Sequence, residues 1–188
     1  VVRSMVTDTS NHHPGQHMWM TGVTRYGHPT LGAWVSYGLG SANEELPGYI
    51  VLSSGQGTAA GASNWTSGFM PSRYQGVPLR STGEPIRYLK APRGIDGRMQ
   101  RKSRELISQL NAEHYRNTND LTVLESMQAY EAAFRLQSSA PELMDLSDES
   151  SGTLDAYRTS MGTGGFAMNC LLARRLVEKG VRFVQLNH

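Results

Sequence analysis

Phe166–Leu186, FAMNCLLARRLVEKGVRFVQL, indicates the fold most clearly, because one glycine joins a helical pattern to a strand pattern. Gly180 stands where a left-handed residue ends many helices, and the apolar residues of Val181–Leu186 alternate as in a strand. The predicted helix, Phe166–Lys179, has an apolar stripe formed by Phe166, Cys170, Ala173 and Val177. A helix that leads directly into an apolar strand is half of a βαβ unit, so this stretch predicts a parallel sheet.

The rest of the chain adds further strand and helix patterns. Apolar runs predict strands at Val1–Val6 and Tyr49–Leu52. Apolar residues at helical spacing predict three helices, at Leu31–Leu39, Arg98–Tyr115 and Asp120–Gln137.

Met99, Leu106 and Leu110 lie on one side of the predicted helix that begins at Arg98. Pro141 is expected to end the helical pattern that begins at Asp120. Gly55–Pro92 shows no sustained period and predicts a long irregular loop. The fold class that follows is α/β, with a mostly parallel sheet flanked by helices.

Both ends of the chain resemble the inside of a sheet. Val1–Val6 and Val181–Leu186 are strand patterns, whereas the termini of a domain usually lie in exposed, unpaired chain. We therefore expect residues 1–188 to be an internal fragment of one larger domain, truncated at both termini.

Composition and charge exclude several classes of protein. The 18 Lys and Arg residues nearly balance 16 Asp and Glu residues, and a net charge of +2 does not by itself attract nucleic acid. The single cysteine, Cys170, excludes an internal disulfide and a multi-cysteine zinc site, and its apolar surroundings predict a buried structural thiol. No apolar stretch approaches the roughly 20 residues that span a membrane. The oligomeric state is left open.

Histidines follow the first and the last predicted strand. In open α/β sheets, ligands bind beyond the carboxyl ends of the strands. Thr7–His13 and Asn187–His188 occupy such positions, so we expect Asn11 and His188 at one edge of a sheet that contains both strands.

The adjacent pair His12 and His13 should point in roughly opposite directions if the turn is extended. One of them, with Asp8 or His188, could bind zinc or serve as acid, base or nucleophile. Alternatively, these histidines only make hydrogen bonds in a turn.

Segments along the whole chain resemble the bacterial domain-of-unknown-function 1501 family, among them VVRSM, NHHPGQHMWMTG, SGFMPSRYQG and NCLLARRLVEKGVRFVQL. That family is similar to the sulfatase and alkaline-phosphatase superfamily. The resemblance implies a partial alkaline-phosphatase-like sandwich in an exported protein, periplasmic or secreted. It also implies a divalent metal, zinc or calcium, and a substrate that is a phosphate or sulfate ester of a small molecule or polysaccharide. A fragment holding one corner of the metal cluster should be inactive alone.

The sulfatase motif can be aligned with part of this sequence. Thr21-Gly22 matches its Thr-Gly, Pro14 its proline and His12 the position of its nucleophile, but Gln16 replaces its arginine. The departure leaves three options: His12 attacks the ester directly, His12 binds a metal while water attacks, or the site binds without turnover.

The resemblance then assigns roles to eight residues. His12 and Asn11 are the catalytic candidates, and Asp8, His13 and His188 are the metal candidates. The loop Trp65–Gly76 is expected to form a wall of the substrate cleft through Arg73, Tyr74 and Gln75. Two alternatives remain, a non-catalytic binding protein that keeps the fold and a self-contained helical interaction module.

Overall fold

Three parallel strands form one sheet in the described part of the chain, and helices lie on both of its faces. The computed structural model describes residues 3–4, 6–43, 45–55, 58–81, 94–158 and 165–188. The elements in chain order are α1 (His12–Thr21), α2 (Leu31–Leu39), β1 (Tyr49–Ser53), two short 3₁₀ helices (Gly61–Trp65 and Ser72–Tyr74), β2 (Val77–Leu79), α3 (Gly97–Thr118), α4 (Leu121–Met144), α5 (Ser151–Ala156), α6 (Phe166–Glu178) and β3 (Phe183–Asn187).

Strand β1 is the centre of the sheet, in the order β2–β1–β3. It pairs with β3 from Tyr49↔Phe183 to Ser53↔Asn187, and Ile50 is level with Val77 on β2. The first four residues of β1 are buried, which is typical of a strand covered on both faces. The predicted parallel sheet is thus confirmed.

Helix α6 covers one face of the sheet with its leucines. Gly180 adopts a φ of +90° and its N–H donates to the carbonyl of Val177, so the chain turns directly into β3 as predicted. The predicted stripe is wrong, however, because Val177 is 58% exposed and Cys170 is only half-buried. The neighbouring stripe is buried instead, since it carries the larger apolar side chains Met168, Leu171, Leu172 and Leu176.

Helix α4 continues through Pro141 to Met144, so the expected end at the proline is wrong. Leu143 lies in the last turn and is completely buried in the core cluster, together with Leu146 just beyond the helix. Burial of this turn offsets the hydrogen bond that a proline removes from a helix.

Helix α2 covers the opposite face, where Gly32 permits a close approach. A Cβ on Gly32 would lie 2.5 Å from the ring of Tyr49 and 2.7 Å from that of Phe183. The rings of Tyr49 and Phe183 meet edge to face at 5.2 Å. Burial raises the pKa of Tyr49 to about 12, and its hydroxyl donates to Oε1 of Gln185.

Two expectations about irregular regions need correction. Arg3, Ser4 and Val6 belong to no strand, and Val6 is 94% exposed; Val1, Val2 and Met5 lie outside the described residues. The long loop contains β2, a three-residue edge strand too short to show a pattern and interrupted by Pro78. Residues 56–57 and 82–92 of the loop lie outside the described residues.

None of the described helices is long and apolar enough to cross a membrane.

An ion-pair cluster joins α6 to the acidic turn after α4. Oε1 of Glu149 accepts hydrogen bonds from Arg174 and, at 2.8 Å, from Arg175. Arg175 also donates to the carbonyl of Asp145 at 2.7 Å. Hydrogen bonds from Arg174 and Arg175 hold the pKa of Glu149 below its ordinary value. The charged form of Glu149 therefore stabilises the packing of α6 against the end of α4.

Replacing Glu149 by glutamine should lower Tm by a few degrees at pH 7, because two guanidinium groups lose their carboxylate. A depressed pKa contributes stability above the ordinary value of 4.5 and loses it as pH falls through the folded value. The Tm difference from the parent should therefore be constant above about pH 5.5 and shrink below pH 4.5. Thermal unfolding followed by circular dichroism checks this, with Asp148→Asn as the exposed control. An equal Tm difference at pH 7 and pH 3.5 would contradict it.

Candidate functional site

A cleft of about 580 Å³ lies along β3, from Phe183 at the start of the strand to His188 just beyond its carboxyl end. Its size is that of a typical small-molecule site. The residues that line it come from α1, α2, the first 3₁₀ helix with its preceding turn, and β3: His12, Gly15, Gln16, Trp19, Met20, Leu31, Thr58, Asn64, Phe183, Gln185, Leu186, Asn187 and His188.

His188 is held at the cleft by contacts with β1 and α6. Its Nδ1 lies 2.9 Å from Oγ of Ser54, the residue after β1, and its ring contacts that of Phe166 in a tilted arrangement with 5.1 Å between the ring centres. The Ser54 hydroxyl also lies 3.3 Å from the carbonyl of Asn187, to which it can donate. When the Ser54 hydroxyl donates its hydrogen to this carbonyl, its oxygen can only accept from His188. Nδ1 of the neutral His188 ring then carries the proton, and Nε2 is the unprotonated nitrogen.

His12 reaches the same cleft because it begins a helix. Asn11 is the N-cap, and its Oδ1 accepts from the backbone N–H of His13 at 3.4 Å. The expectation of an extended turn is therefore wrong for His12 and His13. Neighbouring residues on a helix point about 100° apart, and His13 faces Tyr26, whose hydroxyl lies 2.8 Å from its Nε2.

One face of α1 forms a wall of the cleft. Gln16 links this wall to the first 3₁₀ helix, since its Oε1 accepts from the N–H of Ala60 at 3.2 Å. Trp19 is exposed at the rim. The face consists of residues at helical spacing i, i+3, i+4, i+7 and i+8, and this spacing could have revealed it from the sequence: His12, Gly15, Gln16, Trp19 and Met20.

Two buried polar atoms on the far wall have no partner among the described residues. Asn64 is buried, and in this part of the chain neither its Oδ1 nor Oγ1 of Thr58 makes a hydrogen bond. Buried polar atoms are normally paired, so these atoms mark a place where water or a ligand can complete the bonding. No pattern in the sequence placed Asn64, Thr58 or Ser54 at this cleft; their positions there arise from contacts between distant segments.

The structure brings together only part of the predicted catalytic and metal set. His12 and His188 line the cleft, and Asn11 lines an adjoining groove with His12. Asp8 lies exposed in the segment before α1, and His13 is turned toward Tyr26. Within the described ranges, no three His, Cys, Asp or Glu residues are grouped so that they could hold a metal ion.

The predicted substrate-binding residues lie elsewhere in the fold. Arg73 donates to Gln128 on α4 at 3.0 Å and to the Tyr74 hydroxyl at 3.0 Å, and its guanidinium lies 4.8 Å above the Tyr74 ring. Tyr74 contacts Tyr37 on α2 edge to face, and the N–H of Gln75 donates to the carbonyl of Ser72. None of the three lines the cleft. This part of the loop packs α2 against α4.

Comparison with known proteins gives one match. The model of the family described as "Protein of unknown function (DUF1501)" matches residues 1–188. No curated protein and no solved structure matches the chain significantly.

Replacing Ser54 by alanine should free the His188 ring, because the hydroxyl that contacts Nδ1 is lost while the backbone bond from Ser54 to Asn187 remains. Long-range ¹H–¹⁵N correlation spectra of the imidazole nitrogens report which nitrogen carries the proton. The His188 signals should shift from a single Nδ1–H tautomer toward those of the exposed His114, and Ser54→Thr should restore them. An unchanged His188 spectrum in Ser54→Ala would show that the hydroxyl does not orient the ring.

Proposed function

The chain belongs to the DUF1501 family over residues 1–188, and from this membership and the cleft we propose that it forms the histidine-bearing part of an ester hydrolase site. The proposed substrates are phosphate or sulfate esters. The proposed protein is an exported hydrolase-like member of the sulfatase and alkaline-phosphatase superfamily, in keeping with the similarity of the DUF1501 family to that superfamily.

The observation that carries the proposal is the meeting of His12 and His188 at one cleft. The two residues are 176 positions apart in the sequence, yet both line the cavity along β3. His188 follows the carboxyl end of β3, and α/β proteins bind their ligands beyond the carboxyl ends of their strands. Two imidazoles on one cavity can transfer protons to and from a single bound molecule.

The two histidines can divide the work of hydrolysis. His12 takes a proton from a water molecule as the water oxygen attacks the phosphorus or sulfur atom. The bond to the leaving oxygen breaks, and His188 in its protonated form donates a proton to that oxygen. Proton transfer by a positioned histidine contributes roughly 10²- to 10⁴-fold to a rate. Ser54 supports this step by holding the ring of His188.

The described residues do not form a metal site on their own. A catalytic metal requires about three protein ligands, whereas the cleft offers two imidazoles together with amide groups, and Asp8 and His13 lie outside its lining. A zinc or calcium ion at this cleft would need donors in addition to these. The steps proposed for His12 and His188 are independent of such an ion.

Replacing His12 by alanine should lower kcat/KM for 4-nitrophenyl phosphate or 4-nitrophenyl sulfate by about 100-fold or more. The assay uses the complete natural protein that carries this sequence, with and without added zinc or calcium. Tm should change little, because the His12 ring makes no hydrogen bond within the described part of the chain. His114→Ala, in the exposed helix α3, is the matched control and should keep parental activity. Parental activity in His12→Ala would remove His12 from the site.

A binding role without turnover is the second candidate, and the lining of the cleft favours it. The cleft lining contains no Asp, Glu, Lys or Arg, and its two histidines are its only ionisable residues. Amide groups of Gln16, Asn64, Gln185 and Asn187 suit a neutral ligand rich in hydroxyl groups, and exposed Trp19 offers a stacking surface.

The binding role predicts that methyl β-D-glucopyranoside and its galactose and mannose counterparts contact the cleft. Saturation-transfer NMR should show transfer to at least one of these probes, and Trp19→Ala should reduce the signal several-fold because stacking is lost. His12→Ala should leave binding intact. Trp34→Ala, which removes an exposed tryptophan outside the cleft, is the control. Equal transfer in the parent and in Trp19→Ala would contradict a binding role for this cleft.

A further inference from the structure

Helix α3 turns a polar face toward α4 and leaves its apolar face in solvent. Its half-buried residues share one face, on which all but one are polar or aromatic: Gln100, Arg104, Asn111, Ala112 and Tyr115. Arg104 on this face pairs with Glu131 of α4 at 3.7 Å. The large apolar residues of α3 are 47–57% exposed, and we call them the α3 apolar stripe: Met99, Leu106, Ile107 and Leu110.

The orientation of α3 is the reverse of that expected for a surface helix. A helix of a globular protein normally packs its apolar stripe inward and its charged face outward. The Arg98–Tyr115 pattern, with Met99, Leu106 and Leu110 on one side, predicts such a stripe, but the structure places it away from α4. A contiguous apolar surface of this kind usually marks a contact with another molecule.

Charges beside the α3 apolar stripe indicate what covers it. Lys102 and Glu113 are both exposed and lie 11 positions apart. Eleven residues make about three helical turns, so the two charges stand on the same side of the helix. Along the helix axis, the midpoint between Lys102 and Glu113 nearly coincides with the midpoint between Leu106 and Leu110. These two leucines occupy the centre of the stripe.

We propose that the α3 apolar stripe is the contact between two copies of this chain, packed antiparallel about a two-fold axis. This arrangement places Lys102 of each copy against Glu113 of the other, so the two ion pairs are equivalent. Leu106 of each copy packs against Leu110 of the other. A parallel arrangement would instead put the two Lys102 residues at one height and the two Glu113 residues at another, so neither ion pair could form. The stripe is therefore complementary to itself in one direction only.

The length of the stripe suits a helix pair. Met99 to Leu110 spans about 16 Å at 1.5 Å per residue, or three turns. Antiparallel helices joined over three turns bury their leucines between ridges of the opposite helix. The proposal concerns the assembly of the protein and is independent of the chemistry assigned to the cleft.

Sedimentation velocity on the full chain tests the contact. The parent should sediment as a dimer at about 50–100 μM, which corresponds to a dissociation constant of about 10 μM or lower. Leu106→Glu should shift the protein to the monomer, raising the dissociation constant at least about tenfold. Val177→Glu is the matched control, because it places the same charge at an exposed apolar residue of α6 and should leave the dimer intact. Far-ultraviolet circular dichroism confirms that each variant is folded.

Charge exchange tests the antiparallel direction. Lys102→Glu alone and Glu113→Lys alone should each weaken the dimer about two- to fivefold, because each single change opposes like charges across the contact. The double exchange should restore parental affinity.

Disulfide crosslinking gives a second test in a Cys170→Ser background. Lys102→Cys mixed with Glu113→Cys should form mixed crosslinked dimers, and neither variant alone should crosslink efficiently. A monomeric parent at 100 μM, a dimer that survives Leu106→Glu, or crosslinking of Lys102→Cys with itself would each overturn the proposal.

Discussion

The parallel pairing of β1 with β3 is the constraint on which the rest of this structure depends. Five residues of each strand are in register, from Tyr49 with Phe183 to Ser53 with Asn187. The ladder continues one residue further, where the N–H of Ser54 donates to the carbonyl of Asn187 at 2.9 Å. Since parallel strands end at the same edge of a sheet, this register places Ser54 beside His188. A shift by one residue would turn every side chain of β3 to the opposite face.

A chain of hydrogen bonds connects the buried sheet to the cleft. The Tyr49 hydroxyl donates to Gln185, Nε2 of Gln185 donates to Asn187 at 3.0 Å, and Nδ2 of Asn187 donates to Ser53 at 3.4 Å. Desolvation raises the pKa of Tyr49 to about 12, so its hydroxyl remains a donor even in alkaline solution near pH 10. The cleft-lining amides of Gln185 and Asn187 are therefore oriented from within the core, as a binding surface requires.

The α/β class, the parallel sheet and helix α2 could be predicted because each leaves a local pattern. The apolar run at Tyr49 and the glycine at Gly180 are such patterns. The meeting of His12 and His188 was also expected, but from a wrong premise, since Arg3, Ser4 and Val6 form no strand and His12 reaches the cleft as the first residue of α1. The contributions of Asn64, Thr58 and Ser54 could not be predicted, because they depend on contacts between segments far apart in the sequence.

Helices α3 and α6 show why a helical pattern alone does not identify the buried face. In α6 two apolar stripes compete, and the one with more leucines faces the core because it removes more apolar surface from water. In α3 the single apolar stripe faces outward, while Arg104 directs the polar face toward Glu131 on α4. An ion pair this exposed contributes at most about 1 kcal/mol, less than burying even one leucine. The orientation of α3 is therefore accounted for energetically only when its stripe is covered, which the proposed antiparallel pair of chains would do with matched charges.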